Sequence, residues 1–203
     1  MSDNNAIQIN KQRLFTKNNN GHYVFTITGL NFIGEQEISR LKNSKISISD
    51  SAKQLLTMTG ADSYDDNHRL ENNKQYRVVL IFGRDIKKPR ITEYPQKYAR
   101  RFDYKMPLED MEHRTTESIQ EYARRFGYRM PLAGVMLRIR EVISDGDMEQ
   151  MNIRYVAGLH MPIVDYTDNP SVLEINCGNN YHQFNIAWNN HPWDDEGVFP
   201  FFC

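Results

Sequence analysis

The chain has 203 residues, of which 39% are hydrophobic and 25% are charged, and its formal net charge is −1. Ten Phe, eleven Tyr and two Trp supply apolar area for a core, which argues against wholesale disorder. Two cysteines, Cys177 and Cys203, exclude a disulfide framework and favour a reducing, cytoplasmic setting. No apolar run approaches about 18 residues, so neither a membrane-spanning segment nor a classical secretion signal is expected.

The first half of the chain predicts two strands and two helices. Residues 1–20 are polar and end in an Asn run, which indicates an arm. Residues 23–28 are β-branched and aromatic and predict a strand. Helices are expected over residues 35–42 and after an N-cap at Ser49. The continuous apolar run over residues 76–82 predicts a strand buried on both faces.

The second half predicts helices and then strands. Residues 96–143 have a helical pattern, and Asp145-Gly-Asp147 predicts a turn. Strand-like runs follow, at residues 153–157, 172–175 and 184–188. The chain ends in Val198-Phe-Pro-Phe-Phe202, for which we expect an edge strand or a docked tail, because Pro200 has no amide to donate to a central ladder.

This order of elements predicts an α+β fold with a mixed or antiparallel sheet built from N- and C-terminal strands and a central helical hairpin segment. We expect a single domain over residues 21–203. Within it, residues 84–143 form a basic helical insert and residues 150–203 an acidic, strand-rich end.

The charges are divided unevenly along the chain. Residues 84–140 carry fourteen Lys and Arg against eight Asp and Glu, whereas residues 141–203 carry one basic residue, Arg154, against ten acidic ones. Such separation indicates an anionic partner for the middle, or pairing of the middle with the end. The pairing would join subunits head to tail or lie within one monomer.

A repeat occupies the middle of the chain. Residues 96–108 recur as residues 120–132, with ten of thirteen positions identical at an offset of 24 residues. In the second copy, Tyr122 and Phe126 are four residues apart, which predicts that both pack inward from one helical face. Pro131 is expected at the first position of a second helix, over residues 132–143.

The basic residues of the repeat are the candidate sites for a partner chain or a nucleic acid. They are Arg100, Arg101, Lys105, Arg124, Arg125 and Arg129. Residues 119–143 have the spacing of a helix-turn-helix, whose arginines would contact phosphates. However, the start of the second helix, residues 130–135, offers nothing to read base edges. Arginine and tyrosine together are also typical of protein interfaces, and we expect that use first.

Thiol or metal chemistry has weak support in the sequence. His160, Cys177, His182 and His191 are the candidates, and Cys177 with His182 could form a nucleophile pair. Their spacing lacks the tight ligand pairs of zinc sites. We therefore expect no catalytic residue, no metal and no cofactor.

The sequence thus favours a non-enzymatic structural or interaction protein that docks on other protein chains, its own copies or different ones, through the basic middle and the acidic end. A phage-type assembly component or an inhibitor of a host system fits this description, in the host cytoplasm or in a virion. The alternative is a nucleic-acid-binding regulator that uses the helix-turn-helix-like segment. No membrane partner is expected.

Overall fold

The computed structural model describes residues 15–86, 114–178 and 181–203. Within them, nine strands join one mixed sheet and six α-helices accompany it, so the predicted α+β class is confirmed. The first repeat copy, residues 96–108, lies outside the described residues, as do residues 1–14 of the predicted arm. The end of that arm is part of the sheet, because residues 16–17 pair with the next strand.

The strands are β1 (Thr16–Lys17), β2 (Tyr23–Thr28), β3 (Ser47–Ile48), β4 (Gln75–Phe82), β5 (Tyr155–Ala157), β6 (Ile163–Val164), β7 (Pro170–Gly178), β8 (Tyr181–Trp188) and β9 (Gly197–Phe202). The helices are α1 (Gly34–Asn43), α2 (Asp50–Thr57), α3 (Tyr64–Asn67), α4 (Thr116–Arg125), α5 (Gly134–Val142) and α6 (Asp145–Gln150), and a 3₁₀ turn spans Gly83–Asp85. The strand order is β1-β2-β4-β9-β5-β7-β8-β3, with β6 paired to β7. The β3–β8 and β5–β9 pairs are parallel and the others antiparallel.

Both faces of the sheet are covered by helices, and alternate residues of β4 face opposite cores. Val78 and Leu80 belong to the core on the first face, with α1, α2, α5 and α6. Val79 and Ile81 belong to the core on the second face, with α4. All four of these side chains are fully buried, which confirms that the apolar run of β4 is buried on both sides.

Strand β9 lies between β4 and β5 rather than at an edge, so the prediction drawn from Pro200 is wrong. One edge of β9 pairs with β4. Its other edge pairs with β5 at Gly197 and Val198 only. Further along the same edge, the Phe202 amide donates to the Arg129 carbonyl at 2.9 Å. Because strand amides alternate in direction, the nitrogen of Pro200 faces this second edge, in the gap between the two partners. The proline therefore removes no bond to β4.

The predicted helical hairpin over residues 119–143 is also wrong. Helix α4 packs on the second face through Ile119 and Ala123, whereas α5 packs on the first face through Met136 and Ile139. The connecting chain passes beside β9, where Arg129 pairs with Phe202. The sheet thus separates two helices that are neighbours in sequence.

Local signals set most helix boundaries. Ser49 is the N-cap of α2, and its hydroxyl accepts the Ala52 amide at 3.1 Å, as predicted. Residues 145–150 form a helix instead of the expected turn, because Ser144 and Asp147 make a reciprocal capping box. Helix α5 begins at Gly134, after Pro131 rather than at it.

Among the described residues, no helix has the length and apolar character needed to cross a bilayer.

Candidate functional site

The structure describes half of the predicted binding residues. Arg100, Arg101 and Lys105 lie outside the described residues, whereas Arg124, Arg125 and Arg129 are described and exposed. Arg124 and Arg125 belong to the last turn of α4. Arg129 lies apart from them, next to the end of β9, where its backbone pairs with Phe202. Its positive charge opposes the rise in the pKa of Lys74.

The end of helix α4 is sharply defined. Phe126 is its C-cap, and Gly127 follows with a φ of 76°, in the left-handed region that favours glycine. Arg124 and Arg125 therefore stand beside the negative end of the helix dipole, which favours cations there. Arg125 also forms an exposed ion pair with Glu121 at 2.7 Å. A pair of this kind contributes little to stability, about 0–1 kcal/mol.

Four aromatic rings lie beside these arginines; we call this cluster, His22, Tyr122, Phe126 and Tyr128, the aromatic corner. The ring centroid of Phe126 is 4.9 Å from that of His22, 5.1 Å from that of Tyr122 and 5.8 Å from that of Tyr128. Phe126 is nevertheless 37% exposed, so the prediction that it packs inward is wrong. The helix buries Ile119 and Ala123 instead, and Phe126 caps a turn at the surface.

A hydrogen-bond network fixes the floor of the aromatic corner. The Tyr128 hydroxyl accepts from Asn18 Nδ2 at 2.7 Å and from Asn20 Nδ2 at 3.2 Å, and it lies 3.0 Å from His22 Nδ1. A phenol that accepts twice has its own proton left to donate, so it donates to Nδ1 of a neutral imidazole. Burial lowers the pKa of His22, although Asp85 opposes the shift, and this favours the neutral imidazole.

A shallow depression of about 430 Å³ adjoins the aromatic corner. His22 and Tyr122 form part of its wall, together with Lys17 and Arg84. Both basic side chains lie over aromatic rings, Lys17 at 4.8 Å from the Tyr23 centroid and Arg84 at 4.4 Å from the Phe82 centroid. This end of the molecule therefore combines rigid aromatic surface with several positive charges.

His22 and Tyr128 are the members of the aromatic corner that the sequence did not reveal. They are 106 residues apart in the chain, and no local pattern marks either of them. The Tyr122–Phe126 spacing did indicate that these two rings meet, and their centroids are 5.1 Å apart.

Some basic residues of the middle form ion pairs with the acidic end of the same chain. Arg114 pairs with Asp195 and Arg140 pairs with Asp145, each joining the basic middle to the acidic end. Arg114 is buried, and its guanidinium also donates twice to the Ile86 carbonyl, at 3.0 and 2.9 Å. Arg124 makes no such link to the acidic end in the described part of the chain; its Nε donates to the Gln120 carbonyl of its own helix.

The residues considered for thiol and metal chemistry are dispersed. Cys177 and His182 are register partners in the β7–β8 pair, but burial raises the pKa of the Cys177 thiol to about 11, which disfavours the nucleophilic thiolate. His160 is fully buried and His191 is exposed. Over residues 15–86, 114–178 and 181–203, no group of three His, Cys, Asp or Glu is arranged to hold a metal ion.

Comparison with protein-family models, with curated proteins and with solved structures finds no match to this chain.

Proposed function

We propose that the protein is a non-enzymatic interaction protein that binds another protein chain at the aromatic corner and the adjoining arginines. The observation that carries the proposal is the exposed ring of Phe126, which contacts three other aromatic rings. The exposed charges of Arg124 and Arg125 lie next to it, in the last turn of α4. Aromatic and arginine side chains dominate the binding energy of protein interfaces.

The rigidity of the corner favours binding. Ordering a flexible side chain on association costs about 0.5–1.5 kcal/mol, and Phe126 is already in contact with His22, Tyr122 and Tyr128. The corner thus offers apolar area at low entropic cost. The arginines beside it are exposed, so they are available to acidic groups at the rim of an interface.

The partner that the charges favour is the acidic end of a second copy. Residues 141–203 carry ten acidic side chains, and Glu149 and Asp168 among them are exposed. A contact between the corner of one copy and the acidic end of the next is heterologous, and it generates rings or open filaments. Such an assembly matches the predicted role as a phage-type assembly component.

The second candidate is a nucleic acid bound at the same corner. Phe126 stacks on Tyr128 with an interplanar angle of 22°, and exposed aromatic surface beside arginines is how single strands are bound without sequence preference. Recognition of a duplex by α5 has no support, because Val135, Met136 and Leu137 in its first turns are fully buried.

Light scattering coupled to size-exclusion chromatography tests the proposal. We expect the purified chain to self-associate at about 0.05 M salt and to dissociate at about 0.5 M, where exposed charges are screened. The double variant Arg124→Glu/Arg125→Glu should stay monomeric at low salt. The matched control is Lys42→Glu/Lys45→Glu, which reverses two exposed charges at the end of α1 and should self-associate like the wild type.

The same experiment with a labelled 20-mer of single-stranded DNA separates the two candidates. Salt-sensitive binding of the oligonucleotide that is lost in Arg124→Glu/Arg125→Glu would replace self-association with nucleic-acid binding as the function. A wild-type chain that stays monomeric at low salt and high concentration would refute docking of a second copy.

A further inference from the structure

A second concave site lies on the other half of the sheet, away from the aromatic corner. It is an open depression of about 420 Å³ over strands β5, β7 and β8. Glu174 lies two residues after Val172 on β7, so its side chain points to the second face of the sheet, the face on which α4 packs. The residues that line the depression are Tyr155, Glu174, Asn176, Ile186, Ala187, Trp188 and His191.

Glu174 stands out because its carboxyl group is buried in this depression. The residue is 9% exposed, and its side chain is hydrogen-bonded to Asn176. Within the described part of the chain, the charge acting on it belongs to another carboxylate, that of Asp194. A buried carboxylate without an opposite charge is costly, and a cation that enters the depression would remove that cost.

The wall beside Glu174 is aromatic and rigid. The Tyr155 ring packs against Trp193 at 5.9 Å and against Phe199 at 6.3 Å, and its hydroxyl accepts the Asp194 amide at 3.1 Å. The pKa of the Tyr155 phenol is raised, mainly by burial, so the phenol stays neutral. An aromatic face next to a carboxylate attracts organic cations through both the ring and the charge.

We propose that this depression binds a guanidinium group, with Glu174 as its ion-pair partner, Asn176 as a hydrogen-bonding neighbour and the Tyr155 ring as part of its aromatic wall. A guanidinium is planar, presents several donors to a carboxylate and stacks on aromatic rings. A bare metal ion fits less well, since no cluster of three metal-ligating side chains occurs in residues 15–86, 114–178 and 181–203. The group comes either from a small molecule or from an arginine of a polypeptide. The proposal is independent of docking at the aromatic corner.

Isothermal titration at pH 8 and low salt tests the proposal with methylguanidinium as the probe and methylurea as its neutral match. We expect methylguanidinium to bind at least tenfold more tightly than methylurea. Glu174→Gln should lower its affinity at least tenfold, whereas Glu149→Gln, an exposed glutamate of α6, should leave it unchanged. Circular dichroism of each variant verifies that the fold is retained.

A second arm identifies the source of the group. The peptide acetyl-Gly-Arg-Gly-amide is compared with its citrulline analogue: binding of the arginine peptide alone assigns the pocket to polypeptide arginines, and binding of methylguanidinium without the peptide assigns it to a free small cation. Equal affinity for methylguanidinium and methylurea, or an unchanged affinity in Glu174→Gln, would overturn the proposal. Self-association is tested separately, by light scattering of Arg124→Glu/Arg125→Glu.

Discussion

Replacing Glu174 with glutamine should stabilise the protein at alkaline pH and leave its stability almost unchanged at acidic pH. Burial raises the pKa of Glu174 from 4.5 to about 7, and Asp194 adds to the increase while the hydrogen bond from Asn176 opposes it. Glutamine has nearly the same shape, can accept the same hydrogen bond and carries no charge. The substitution therefore isolates the cost of burying the ionised carboxylate.

The sign and size of the effect follow from proton linkage. A group whose pKa is higher in the folded protein favours folding while protonated, and this contribution is lost as the pH rises through the folded pKa. Between pH 4.5 and about 7 the unfolded chain releases the Glu174 proton first, so the wild type loses about 1.4 kcal/mol per pH unit relative to the variant. At pH 8.5 the difference in unfolding free energy should reach about 3 kcal/mol.

Urea denaturation followed by circular dichroism at pH 4.5, 6.5 and 8.5 measures this difference. We expect Glu174→Gln to exceed the wild type by less than about 0.5 kcal/mol at pH 4.5 and by about 3 kcal/mol at pH 8.5. Glu149→Gln serves as the control and should show no such trend. A difference that does not depend on pH, or a variant less stable than wild type at pH 8.5, would refute the argument that this carboxyl is buried at a cost.

Three further predictions concern the core and the caps. Gly197→Ala should lower the unfolding free energy by about 1–3 kcal/mol in urea denaturation, because an added Cβ would overlap the Tyr155 ring. The control is Gly146→Ala in α6, where an added Cβ has space, so this substitution should be neutral or stabilising. Equal effects of the two substitutions would contradict the packing of Gly197 against Tyr155. Burial lowers the pKa of His160 to about 3, so the contribution of the neutral imidazole to stability is present above pH 6.5 and is lost on acidification. The stability advantage of wild type over His160→Gln should therefore fall by about 1.4 kcal/mol per pH unit below pH 6.5. A constant advantage between pH 7 and pH 5 would contradict the lowered pKa. Ser49→Ala removes the N-cap of α2 and should cost about 1 kcal/mol in thermal or urea unfolding, with Ser49→Gly much closer to wild type; a silent alanine variant would contradict the cap.

The elements that the sequence predicted well have local causes. The β-branched and aromatic content of residues 23–28 and the apolar run of residues 76–82 correspond to β2 and β4. Ser49 marks the start of α2 because its hydroxyl bonds to an amide three residues away. The capping box at Ser144 is equally local, but the Asp-Gly-Asp composition that follows it is also typical of turns, and this led to the wrong element.

The candidate site was only partly predictable, for a related reason. Arg124, Arg125 and the Tyr122–Phe126 contact follow from helical spacing. The exposure of Phe126 does not, because it depends on which helical face meets the sheet, and Ile119 and Ala123 occupy that face. The burial of Glu174 was equally invisible, since a single acidic residue in a strand is compatible with either face of a sheet.

The sequence by itself determined the fold class, most helix and strand positions and the separation of basic from acidic segments, because periodicity, capping and composition act over a few residues. Only the tertiary structure decided that β9 lies in the middle of the sheet, that α4 and α5 lie on opposite faces, and that His22 meets Tyr128. These features depend on contacts between segments far apart in the chain, 106 residues in the case of His22 and Tyr128. Which distant segments meet is determined by the joint burial of all the apolar faces, and no short stretch of sequence encodes it.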